Sequence, residues 1–271
     1  MKCTLPLLLL LAACGSRAAE APSPIPAFFE NDSARLAFSL DLPQGRGPFP
    51  AIVLGHGSGK TTRDQLRWMA DRFVGMGFAV LRFDKRGVGE STGTYVFVGY
   101  RDSEEVFPVL ASDIAAGVRF LRTRPEIDAK RIGLAGNSQA GWILPIAARQ
   151  VDVAFLVLMA GPVCTVGEEW FYSEMVENDP SAAIADANRK MPEYTGPSGF
   201  DPVPVLQGLN TPVLWLLGTD DRSIPVELTV HNLEKLKAAG RPFEWRIYPG
   251  AGHSLTPQMW DDIGPWVAKF R

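Results

Sequence analysis

Cysteine, histidine and unbalanced charge are all scarce in this sequence. Its 271 residues include three cysteines and three histidines, too few for the spaced Cys/His clusters of structural zinc arrays. Lys and Arg number 27 against 30 Asp and Glu, a net charge of −3. That balance lacks the basic excess a nucleic-acid-binding surface requires. The apolar run from Leu5 to Ala13 is too short to cross a bilayer as a helix. No repeat follows it, so collagen, coiled-coil and membrane-bundle architectures are excluded. Apolar residues make up 46% and charged residues 21%, ordinary values for a globular chain. A chain of this length buries a sizeable core without a disulfide or metal.

The N-terminus reads as an address. Lys2 precedes the leucine run, which ends in Leu11-Ala12-Ala13-Cys14. These residues resemble the lipobox of bacterial lipoproteins, which implies removal of residues 1–13 and lipidation of Cys14. The alternative is an ordinary secretory peptide cut near Ala19 or Ala21. Both readings export the protein, anchored to a membrane through Cys14 or free in the periplasm or outside. Residues 14–30, rich in Ala, Ser and Pro, are expected to form a tether. Cys164 is then the remaining thiol, expected to pack in the core.

From residue 31 to 271 short apolar runs alternate with helical patterns. Strands are expected at Ala51–Leu54, Phe78–Phe83, Arg131–Ala135, Val153–Met159, Pro212–Leu217 and Phe243–Tyr248. Helices are expected near Asp64–Met76, Glu104–Arg122, from Gln139, and near Val226–Ala239. Ala34–Leu42 reads as an antiparallel strand leading in. The pattern predicts an α/β domain, a mostly parallel sheet with helices on both faces. In such sheets chemistry sits beyond the carboxyl ends of the strands.

The most informative loop there is Gly136-Asn137-Ser138-Gln139-Ala140-Gly141, between a strand and a helix. A serine on so sharp a turn needs small neighbours two residues to either side, and Gly136 and Ala140 are small. The alternative is a plain loop whose serine caps the helix. A serine nucleophile needs a histidine base held by a carboxylate. His253 follows the last expected strand in Pro249-Gly250-Ala251-Gly252-His253, and Asp220 and Asp221 follow the strand before it. His231 lies in a helical stretch. Serine, acid, histidine is the chain order of α/β-hydrolases.

The segment from about Ala34 onward resembles the α/β-hydrolase superfamily, nearest to bacterial esterases of the dienelactone-hydrolase-like and prolyl-peptidase-like branches. Asp84-Lys85-Arg86-Gly87-Val88-Gly89-Glu90-Ser91 is similar to that family's Asp-x-Arg-Gly-x-Gly-x-Ser loop, which is not catalytic. The family's acid loop, laid on Gly218 and Pro225, implies Asp221 rather than Asp220. Gly55-His56-Gly57-Ser58-Gly59 resembles the His-Gly-x turn of the oxyanion hole. Its backbone donors would be Ser58 and Gln139, with His56 stiffening the turn. The same stretch, continued to Lys60 and Thr61, is one residue short of a phosphate-binding loop, so nucleotide binding is not expected.

Residues 161–210 are longer than an ordinary connection and are expected to form a lid. A helix over Glu168–Val176 would place Trp170, Phe171, Tyr172 and Met175 in an acyl pocket, or pack them onto the body. The expectation is a serine hydrolase of small carboxylic esters, using Ser138, His253 and Asp221 and needing no cofactor. Peptidase or thioesterase activity on the same triad is the alternative. A non-catalytic, surface-anchored binding protein is a further one.

Overall fold

The computed structural model describes residues 27–177, 179 and 181–271. The expected signal peptide, Cys14 and most of the expected tether lie outside the described residues.

Eight strands form one sheet: β1 (Ala27–Asn31), β2 (Ala34–Asp41), β3 (Phe49–Gly55), β4 (Ala79–Phe83), β5 (Ile127–Asn137), β6 (Leu156–Met159), β7 (Val213–Gly218) and β8 (Phe243–Tyr248). Their order is β1-β2-β4-β3-β5-β6-β7-β8. β2 is antiparallel to both its neighbours, and from β4 to β8 every pair is parallel. The sheet thus begins at Ala27, inside the stretch expected to be tether, because Ala27–Asn31 pairs along its whole length with β2.

Alternate side chains of each central strand enter opposite cores. Val53, Leu81, Leu134, Leu158 and Trp215 face one; Ile52, Leu54, Val80, Val157 and Leu216 face the other. That two-sided burial explains why the strands read as continuous apolar runs. The first core is closed by α2 (Ser103–Arg122), α3 (Ala140–Gln150) and α7 (Val226–Ala238). The second is closed by α1 (Arg67–Gly75) and α8 (Met259–Val267). Gly133 on β5 admits the fully buried ring of Phe155, which would come within 2.4 Å of any Cβ there. The insertion between β6 and β7 holds α4 (Val166–Val176), α5 (Ile184–Lys190) and α6 (Val203–Gln207).

The chain leaves β3 for β4 on one side and returns to place β5 on the other. The carboxyl ends of β3 and β5 therefore flank a topological switch point, where open α/β sheets bind their ligands.

Candidate active site

Gly55 and Gly136 are register partners at the ends of β3 and β5. From these two ends spring the loop through Ser58 and the turn carrying Ser138. Ser138 has φ +56°, a left-handed conformation that costs a residue with a Cβ about 1–2 kcal/mol. The turn is held by Ser138 N–H donating to the Met159 carbonyl at 2.9 Å and Gly141 N–H donating to the Ser138 carbonyl at 2.8 Å. The spacing of small residues follows directly: a Cβ at Gly136 would lie 2.6 Å from the Ala140 Cβ and 3.0 Å from the Gly55 carbonyl.

Asp221 sits in the loop after β7 with its carboxylate fully buried. Oδ1 accepts the backbone N–H groups of Ser223 (2.8 Å) and Ile224 (2.9 Å). His253, after β8, places Nδ1 at 2.9 Å from Oδ2 and 3.1 Å from Oδ1. Asp220 points elsewhere, accepting the Thr219 hydroxyl at 2.8 Å. Burial acts to lower the His253 pKa. The hydrogen bond to Asp221 and the charges of Asp221 and Glu177 outweigh it, so the imidazole is raised above its ordinary value. Among the described residues no hydrogen bond joins the Ser138 hydroxyl to His253. His231 is exposed on α7.

Ser138, Gln139 and Ser58 line one cleft of about 340 Å³. Among the described residues neither the Ser58 nor the Gln139 backbone N–H donates to a backbone carbonyl. His56 behind them is buried, and its pKa is pushed down to about 4, chiefly by burial. The neutral ring meets the Phe83 carbonyl through Nε2 at 2.7 Å, tying the end of β3 to β4. The Asp84–Ser91 loop braces the same region. The Asp84 carboxylate accepts the N–H groups of Arg63 (2.7 Å) and Glu90 (2.9 Å), and Gly87 and Gly89 adopt φ of +71° and +56°.

The wall that α4 gives the cleft differs from expectation. Of Trp170, Phe171, Tyr172 and Met175, the cleft is lined by Trp170 alone. On α4 the residues facing it are Val166, Glu169, Trp170, Ser173 and Glu174, with Glu177 just beyond, a stripe of helical spacing. Phe171, Tyr172 and Met175 fall on the opposite side of the helix and pack with Val176, Ala187 and Met191 inside the insertion between β6 and β7. Tyr95, Val96, Phe97 and Val98 supply the facing wall. Glu169 is half-buried; burial, then the negative charges of Glu177 and Asp221 against His253, pushes its carboxyl up to about 8. No sequence motif marks this residue. Cys164 is buried away from the cleft, and its carbonyl accepts the Trp142 indole N–H at 2.8 Å.

A parallel sheet in this strand order, with a serine on a left-handed strand-to-helix turn and a buried Asp–His pair beyond later strands, is the architecture of the α/β-hydrolase superfamily. Within it the chain belongs to the prolyl oligopeptidase family, whose model matches residues 64–260. It is 32% identical over 178 residues to thiohydrolase aneE of Aspergillus aculeatus, a match covering 62% of this chain and 52% of that protein. It is 28% identical over 242 residues to mitochondrial acyl-coenzyme A thioesterase 2 of Mus musculus, covering 82% of this chain and 49% of the relative. The chain thus spans about half the length of these curated relatives. An esterase of Pyrococcus furiosus shares the fold, with a TM-score of 0.66 at 20% identity over 90% of this chain and 87% of that one.

Proposed function

We propose that the protein is a serine hydrolase that cleaves small carboxylic esters through Ser138, His253 and Asp221. The observation carrying this reading is the His253–Asp221 contact of 2.9 Å on the same rim as a serine held at φ +56°. Asp221, fixed by two backbone donors, orients the imidazole and stabilises its protonated form. That assigns the Nδ1 proton to the Asp221 side and frees Nε2 to take the Ser138 proton. Ser138 Oγ then attacks the ester carbonyl, and the developing oxyanion turns toward the Ser58 and Gln139 N–H groups. His253 returns its proton to the leaving alcohol, and water repeats the cycle on the acyl-enzyme. The missing Ser138–His253 hydrogen bond is compatible with this, since such contacts tighten only when substrate binds.

The experiment is hydrolysis of p-nitrophenyl esters from acetate to laurate by wild type and Ser138→Ala. Loss of a triad serine cuts turnover by roughly a million-fold. Equal rates from both proteins would remove the triad reading.

The thiohydrolase and thioesterase relatives favour a second reading, thioester cleavage by the same residues. The cleft speaks against a coenzyme A leaving group, because the carboxylates of Glu174 and Glu177 line one wall and would meet its phosphates. Parallel assays with butyryl-coenzyme A and p-nitrophenyl butyrate separate the two. For the N-terminus, the lipobox-like Leu11-Ala12-Ala13-Cys14 supports export and lipid anchoring at Cys14. Mass spectrometry of the mature protein, beside Cys14→Ser, tests it.

A further inference from the structure

Lys85 occupies the x of the Asp-x-Arg-Gly motif and is 2% exposed. It has no ion-pair partner among the described residues. Instead its Nζ donates to the Gly57 carbonyl at 3.0 Å, the Gly59 carbonyl at 3.4 Å and the Gln139 side-chain Oε1 at 2.9 Å. Those acceptors bracket the two backbone donors of the cleft. Gly57 and Gly59 are the neighbours of Ser58, and Gln139 is the other donor residue itself. The Lys85 backbone N–H also donates to the Thr61 carbonyl at 3.0 Å, so both ends of the residue grip the loop after β3.

We propose that Lys85 is the positioning residue of the oxyanion hole, its ammonium clamping the Ser58 loop to the Ser138–Gln139 turn so that both N–H groups aim at one point. The proposal rests on the serine-hydrolase reading above. A buried ammonium is costly to desolvate, and a structural clamp of this size could be built from neutral amides. Placed here, its charge also stands near the negative oxygen that forms in the transition state, where a preorganised positive group has most effect. Gly57 and Gly59 offer only carbonyls at this point, so without Lys85 these carbonyls would turn toward each other and toward the Gln139 amide oxygen with no donor between them.

Lys85 carries a further signature. Burial pushes its pKa down to about 8, so it loses its proton within reach of an assay. The groups around it titrate elsewhere or are held. His56 is neutral down to about 4, Asp84 is bound by Arg63 and Arg86 by Asp113. The Tyr95 ring centre lies 5.8 Å from the Lys85 Nζ and 5.6 Å from that of Lys60. Across the cleft Glu169 also titrates at about 8, so Glu169→Gln serves as the control that keeps the Lys85 limb.

The test compares wild type, Lys85→Met, Gln139→Glu and Glu169→Gln in kcat and KM for p-nitrophenyl butyrate from pH 6 to 10. The rate of Ser138 labelling by a fluorophosphonate gives a second readout that needs no ester. Lys85→Met is expected to lower kcat and labelling by about ten- to a hundred-fold with KM little changed, the scale set by a misaligned donor. The alkaline fall of wild type near pH 8 should vanish in Lys85→Met and move to higher pH in Gln139→Glu, whose carboxylate would hold the ammonium charged. A purely structural lysine would lower the melting temperature and leave the pH profile of the remaining activity in place. Should Lys85→Met fail to fold, the direction of the Gln139→Glu shift decides alone. Wild-type kcat and an unmoved alkaline limb in Lys85→Met and Gln139→Glu, with Ser138→Ala inactive, would overturn the clamp and leave the hydrolase reading standing. Activity and labelling undiminished in Ser138→Ala would overturn both.

Discussion

The phenol of Tyr172, on the buried side of α4, donates to the main-chain carbonyl of Asp221 at 2.8 Å. The insertion between β6 and β7 is thereby fastened to the loop that carries Asp221, the proposed partner of His253. Tyr172→Phe leaves that buried carbonyl without its donor, at a cost of about 1–3 kcal/mol. The expected result is a stability loss of that order in urea denaturation, with a several-fold fall in kcat as the Asp221 loop loosens. Unchanged stability would show that another donor, or water, replaces the phenol.

With His253 as the proposed base, its raised pKa should set the acid side of the activity profile. The base must be neutral to act, so activity should fall as pH drops through a value above that of an ordinary imidazole. Of the neighbouring carboxylates Glu177 contributes to the rise, so Glu177→Gln should move the acid limb of kcat/KM to lower pH. Glu169 keeps its own proton until about pH 8, so Glu169→Gln should leave that limb near its wild-type position. A limb unmoved in Glu177→Gln would detach that carboxylate from the base.

Glu169 also makes stability depend on pH. Its folded pKa of about 8 lies above the ordinary value of 4.5, so between these values the folded state holds a proton that the unfolded chain has released. Stability must fall as pH rises through that window. The melting temperature of wild type should decline from pH 5 to pH 8 more steeply than that of Glu169→Gln. Parallel declines would show that the carboxyl is solvated in the folded protein.

Ser138 sits where glycine is at ease and alanine is not. At φ +56°, Ser138→Gly should relieve strain that Ser138→Ala keeps. Offset by the greater freedom of glycine in the unfolded chain, roughly 0.5–1 kcal/mol, the net gain of Ser138→Gly over Ser138→Ala should be on the order of 1 kcal/mol. Paired denaturation curves of these two variants, both expected to be inactive, check it.

What was legible in the sequence was whatever depends on near neighbours. The two-sided burial of Val213–Gly218 makes it a continuous apolar run, and the crowding of Gly136 against Ala140 writes itself into residue size. Asp221 and His253 stand in loops whose glycines and prolines announce them. The lid was harder. The aromatic residues of α4 suggested a pocket by their chemistry, but their helical phase turns Phe171, Tyr172 and Met175 inward, and phase needs to be known relative to a partner. Lys85 was hidden for the opposite reason. Its motif has a structural explanation, and its three acceptors come from two loops far from it in sequence. Ala27–Asn31 looked like tether because a short edge strand carries little signal beyond that of the strand it joins.

Arg222, the residue after the catalytic-acid candidate, donates from Nε to the Val176 carbonyl at 2.8 Å and from Nη2 to those of Asp179 at 2.6 Å and Ala182 at 3.0 Å. The segment that walls the cleft and the segment that carries Asp221 are thus one module, although β7 separates them in the chain. Exchange of the lid for that of a relative would strip this guanidinium of its acceptors. Chimaeras in this fold should keep function only when lid and acid loop are transplanted together.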